Sequence, residues 1–200
     1  MAALGEFDEG RRHGEEAIRL AGLVQGSSPL TAHGSLGQLH LVQGDAQAAI
    51  AILEPGLALC RATNDMEWGL NIAGALGEAY ARAGRLAEGV ALLERAFKDA
   101  VERGALGFMG ELAQRLVTVY LLTTRLDEAR HHARRALDVA RQQKARGQEA
   151  VALFALSEVL AHTNSPEMQQ AETTYREALA LAKPRGMCPL AAFSHTMFAQ

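Results

Sequence analysis

Cysteine is nearly absent: only Cys60 and Cys188 occur in 200 residues, with no metal-type pairing in their spacing. Both read as free thiols of a reducing, cytoplasmic setting rather than parts of a disulfide framework. Aromatic residues make up only 5% of the chain against 48% apolar residues, a balance that suits close-packed helices better than sheets. Neither sign of charge dominates. A formal charge of -3 and a pI near 6.2 supply no global attraction for nucleic acid or an anionic membrane surface. No long hydrophobic run is present either, since the uncharged stretch from Ala21 to Gly44 is interrupted by Gln25, Ser27, Ser28, Pro29, His33 and Gln38, which excludes a membrane span there. The opening Met1-Ala-Ala-Leu-Gly-Glu-Phe-Asp-Glu carries acids where a signal peptide needs a basic start and an apolar core.

Catalytic signatures are missing as well. The chain has no Gly-rich loop ending in Lys-Ser or Lys-Thr, no His-Glu-x-x-His and no Gly-x-Ser-x-Gly, so no enzyme, no cofactor and no metal site is expected. Gly104, Gly107 and Gly110 are evenly spaced, but without a preceding strand they read as turn chemistry rather than a phosphate cradle. Among seven histidines, the adjacent His131 and His132 point about 100° apart on a helix and cannot easily share one ion. His33 and His40 could share a helix face, yet no further ligand stands in register with them.

What the chain does have is a repeat. The stretch from Gly74 to Ala96 reads as two amphipathic helices folded back at Gly84: Leu70, Ala73, Leu76, Gly77 and Tyr80 stripe the first, Leu86, Val90, Leu93, Phe97 and Ala100 the second. Gly84 suits the left-handed residue that ends a helix, and Gly77 and Ala96 suit points of closest approach between backbones. Related segments begin at Gly5, Gly44, Gly84, Thr124 and Ser165. Their closing small residues, Gly10, Ala49, Gly89, Ala129 and Ala171, are 39, 40, 40 and 42 residues apart, within the range of helical solenoids. A first-helix column of Leu36, Leu76, Leu116 and Leu156 keeps register with a second-helix column of Ala17, Gly56, Ala96, Ala136 and Ala178.

Leu76-Gly77-x-x-Tyr80, followed by Gly84, Gly89 and Ala96, resembles the tetratricopeptide repeat, and the resemblance spans essentially all 200 residues. Val117 and Ser157 depart from its glycine, His40 and Leu160 from its tyrosine, and no proline closes a repeat. A period near 40 also exceeds the family's usual ~34, so each repeat should be longer. Such long repeats look like the helical tails of bacterial ATPase or nucleotide-cyclase regulators.

The expected fold is therefore all-α, a right-handed α-solenoid of antiparallel helix hairpins forming a single domain over residues 1–200. About four repeats are expected, with unpaired helices at 7–24 and 189–200. Inside the array, Pro55-Gly56 should bend or weaken the helix at 45–62. The ends should be sticky, either because the chain is a fragment of a longer array or because it self-associates, with Leu190, Phe193 and Met197 forming the exposed stripe.

The resemblance implies a non-catalytic scaffold that binds a protein or peptide segment in a concave groove lined by first helices. Counting from the leucine column, the groove positions are Gln38, then Asn71, Glu78 and Arg82, then Glu111, Gln114 and Thr118, then Phe154, Glu158 and His162. Solvated helix surface is the competing reading for all ten. The alternative function is a regulatory tail of a larger bacterial signalling enzyme whose catalytic module lies elsewhere; a small-molecule sensor would need a polar cluster that the sequence does not reveal. Arg130, Arg134, Arg135, Arg141, Lys144 and Arg146 crowd the second helix of the third repeat. Without aromatics to stack on bases, they read as a solvated outer face or a contact for an acidic partner rather than a nucleic-acid site.

Overall fold

The computed structural model describes residues 7–21, 29–162 and 165–185. Among them are nine α-helices and no strand: α1 (Phe7–Ala21), α2 (Pro29–Val42), α3 (Ala46–Thr63), α4 (Met66–Arg82), α5 (Leu86–Glu102), α6 (Leu106–Leu122), α7 (Leu126–Gln142), α8 (Arg146–Ala161) and α9 (Ser165–Ala182), followed by a 3-10 turn at Lys183–Arg185. Even-numbered helices are the first members of hairpins and odd-numbered ones the second, as the paired columns predict. Two compact units divide the chain, Met1–Asp99 and Ala100–Gln200.

In the first unit, Gly44 (φ +81°) and Gly84 (φ +85°) reverse the chain within hairpins, and Asn64 (φ +55°) reverses it between them. Each asparagine or glycine sits where a left-handed residue is needed. Aspartates then start the next helices: the Asp45 carboxylate accepts from the Ala48 amide at 2.9 Å and Asp65 from the Trp68 amide at 3.0 Å, each satisfying a donor that the helix leaves free. The small-residue columns mark backbone contacts. A Cβ on Gly37 would meet the Leu53 side chain at 2.3 Å, one on Gly77 the Leu93 Cγ at 2.6 Å, and one on Gly89 the carbonyl oxygen of Gly77 at 2.5 Å.

Pro55 does not interrupt α3, which runs on to Thr63. Proline removes a helix donor and crowds the preceding turn, and α2 supplies a donor in that region. The Nδ1–H of His33 donates to the Ile52 carbonyl at 2.8 Å, an approach that Gly56 permits, since a Cβ there would lie 2.8 Å from the His33 Cβ.

In the second unit the left-handed positions are Gly104 (φ +66°), Thr124 (φ +56°) and Lys144 (φ +55°). Gly107 and Gly110 belong to α6 rather than to the connector, so of the three evenly spaced glycines only Gly104 does turn work. Ser165, where the last of the related segments begins, opens α9. The columns are sealed: Leu116, Val117, Tyr120, Ala129 and Ala136 have no exposed surface, nor has Ser157, whose hydroxyl donates to the Phe154 carbonyl at 2.7 Å. Ala17, by contrast, is exposed on α1, so the small-residue column does not reach a backbone contact there. The helix expected at 189–200, with Leu190, Phe193 and Met197, lies outside the described residues.

Candidate functional site

First-type helices are sunk deep in each unit. In α4 every residue from Ile72 to Ala79 is buried, and in α8 every residue from Ala152 to Ser157. Polar residues on such helices are the ones whose placement needs a reason.

In the first unit, Gln38 and Asn71 are half-buried. Asn71 lies against α2, its Oδ1 standing 3.2 Å from where a Gly34 side chain would begin. Glu78 is buried, with a side chain 11% exposed, and the exposed Arg82 reaches back one turn to hold its carboxylate at 2.7 Å. The two predicted groove positions are thus paired with each other, the carboxylate inside and the cation outside.

In the second unit, Glu111 is exposed and accepts from Arg115 at 2.8 Å. Gln114 and Thr118 are half-buried, the Thr118 hydroxyl donating to the Gln114 carbonyl at 3.1 Å. Phe154 is 1% exposed and packs its ring 6.1 Å from that of Tyr175, which makes it a core residue and takes it off the predicted surface. Helical register brought it into that set; its apolar ring found a partner in α9. Glu158 is half-buried, and its Oε2 is sealed from solvent without a hydrogen-bond partner. Burial pushes this carboxyl up to about 7. The exposed His162 turns its Nδ1 not to that carboxylate but to the main-chain carbonyl of Glu158, at 2.8 Å.

Other charged and polar groups hold the hairpins together. Tyr80 donates to Glu54 at 2.8 Å while Arg85 lies over the Tyr80 ring at 3.9 Å and grips Glu88 with two hydrogen bonds. Arg125 repeats the arrangement over Tyr120, bonded to Glu128. Burial, then the bond to Glu54, raises the Tyr80 hydroxyl, and the arginines hold Glu88 and Glu128 below the usual carboxylate range. Nothing in helical periodicity announces this turn clasp. Its signal is the spacing Tyr-x-x-x-x-Arg-x-x-Glu, present at Tyr80 and again at Tyr120.

The basic stripe is largely spoken for. Arg130 forms a fork on Glu167 of α9 at 2.9 and 2.7 Å. Arg141 and Arg146 converge on the buried Glu149 at 3.1 and 2.8 Å. Burial alone would raise the Glu149 carboxyl, but the two guanidinium bonds outweigh it and leave it lowered. The helix α7 ends at Gln142, so Lys144 falls in the turn and Arg146 opens α8, which shortens the stripe the sequence suggested. One polar link bypasses charge: the Gln148 amide accepts from the Gly110 N–H at 3.0 Å and donates to the Gly107 carbonyl at 2.9 Å. Gly110 makes room for it, since a Cβ would fall 2.4 Å from the Gln148 Oε1. Among the described residues no cluster of His, Cys, Asp and Glu could hold a metal ion, and no helix is long and apolar enough to cross a membrane.

These hairpins define a tetratricopeptide-like α-solenoid fold. A Podosopora anserina protein described as a kinesin light chain with nearly identical TPR-like repeats shares it at TM-score 0.62 and 18% identity, over 92% of this chain and 90% of that one. A Rap conjugation gene regulator of plasmid pLS20, solved with the Phr* peptide, matches at TM-score 0.69 and 14% identity, over 94% of this chain and 53% of that one. Bacillus thuringiensis PlcR, solved with the peptide PapR7 and DNA, matches at 0.67 and 16%, over 95% of this chain and 70% of that one. No protein-family model matches the chain, and no curated protein matches its sequence.

Proposed function

We propose that the chain is a non-catalytic, cytoplasmic scaffold that binds a protein or peptide segment along the first helices of its hairpins. The observation that carries this reading is the presence, in each unit, of polar residues on helices otherwise buried among apolar neighbours: Asn71, Glu78 and Arg82 on α4 in the first, and Gln114 and Thr118 on α6 with Glu158 on α8 in the second. An extended segment offers such residues a line of backbone donors and acceptors with side chains between them. Support also comes from Rap and PlcR, which share the fold and were solved with bound peptides. PlcR's structure contains DNA as well, but here the net charge is -3 and Arg130, Arg141 and Arg146 are already paired to carboxylates, so a protein or peptide partner fits better than nucleic acid.

The test is to pan a displayed library of random short peptides against the intact chain. Selected peptides are then titrated against Arg82→Ala and Gln114→Ala, with circular dichroism as the folding control. Arg82→Ala takes the cation from the buried Glu78 carboxylate and should cost stability, and Gln114 is half-buried, so each titration is run where circular dichroism shows the variant folded; a few anchors dominate an interface. Weakened binding with an intact fold supports the first-helix surface. Unchanged affinity in both variants moves the binding surface elsewhere, with the second helix around Arg134 and Arg135 next in line. The second reading, a regulatory tail of a larger signalling enzyme, draws on Rap being a gene regulator; an ATPase or cyclase module in the coding sequence upstream would establish it.

A further inference from the structure

Two glutamates stand at the same place in the repeat, each two residues after the column leucine: Glu78 after Leu76 and Glu158 after Leu156. Each has a basic or titratable residue one helical turn later, Arg82 and His162, where side chains meet on one face. The outcomes differ. Arg82 closes on Glu78 at 2.7 Å and neutralises it. His162 bonds to the Glu158 main-chain oxygen instead, and the carboxylate Oε2 is left sealed and unmatched.

Resting on the peptide-binding reading, we propose that Glu158 receives a guanidinium or ammonium group from the bound segment, so that the partner supplies in trans the cation that Arg82 supplies to Glu78. A carboxylate out of water without a donor is penalised, and a basic side chain seated on it relieves that penalty while its own charge is satisfied. In the free chain burial shifts the carboxyl upward. The residue as a whole is half-buried while its Oε2 is sealed, so the side chain must turn outward to meet the incoming group. Residues 186–200 contain no lysine or arginine, so that stretch of the chain does not carry such a side chain itself.

The same displayed library tests the idea with the intact parent, Glu158→Gln and His162→Arg. Glutamine keeps the size and removes the charge; arginine installs the partner that α4 already has. The parent is expected to enrich peptides bearing lysine or arginine. Replacing that basic residue by glutamine in a selected peptide should weaken parent binding about tenfold, the scale of one charged hydrogen bond, and should change binding to Glu158→Gln or His162→Arg little. Peptides that bind the parent without basic enrichment, or a basic residue that matters equally to all three proteins, would overturn this inference and leave the binding function standing. If no peptide binds the parent at all, the proposed function falls and this inference with it.

Discussion

Glu158 and Glu149 make stability depend on pH in opposite directions. The Glu158 carboxyl sits at about 7 in the folded chain against an ordinary 4.5, so the folded state holds the proton more tightly than the unfolded one. Its favourable contribution is complete at pH below the ordinary value and is lost as pH rises through about 7, a loss of roughly 3 kcal/mol at most. Glu158→Gln should therefore melt progressively higher than the parent as pH is raised from acid to mildly alkaline; a melting difference that stays flat with pH would mean the carboxylate is not buried as described. Glu149, lowered by Arg141 and Arg146, works the other way: its contribution is present above the ordinary carboxylate range and disappears as pH falls through its depressed value. Glycines supply a second residue-level contrast. Gly89→Ala drives a Cβ to 2.5 Å from the Gly77 carbonyl oxygen and should cost about 1 to 3 kcal/mol in urea unfolding. Gly107→Ala meets nothing within 4 Å and sits in α6, so it should gain about half a kcal/mol.

At the scale of elements, α6 and α8 are joined by an amide rather than by charge. Gln148 bonds to both the Gly110 N–H and the Gly107 carbonyl near the start of α6. Gln148→Ala should lose about 1 to 2 kcal/mol. Gln148→Glu should lose at least as much, because a carboxylate can accept from Gly110 but turns a second acceptor toward the Gly107 carbonyl; near-parental stability for the glutamate would show that only the Gly110 contact matters. Helix ends were readable to within a few residues where the chain carries Gly44, Gly84 or Asn64-Asp65, since glycine, asparagine and aspartate have local reasons to sit there. At Thr124, which takes the left-handed conformation without local advantage, the turn still falls where the repeat register puts it. At Lys144 it does not: α7 stops at Gln142, before the end suggested by its run of basic residues. Beside Pro55, His33 of α2 also bonds to the Ile52 carbonyl of α3, a contact that spacing along the chain does not announce.

Across the whole molecule, the described helices differ sharply in how much they bury. In α1 no described side chain is buried, whereas α4 and α8 are enclosed over most of their length. Native-state hydrogen exchange should accordingly be fastest in α1 and slowest in the centres of α4 and α8; equal protection in α1 and α4 would contradict this ordering. The sequence by itself determined the all-helical hairpin fold and the columns of small and large residues, because helical periodicity and turn chemistry are local and recur with every repeat. Tertiary structure alone decided which polar residues of the first helices remain available. Phe154 and Glu158 lie one turn apart in α8, yet the ring found Tyr175 and the carboxylate found no partner. Glu78 and Glu158 hold the same register, yet one was neutralised and the other was not. Those differences arise from what packs beside each helix and which bond a neighbouring side chain makes, and neither is carried by spacing along the chain.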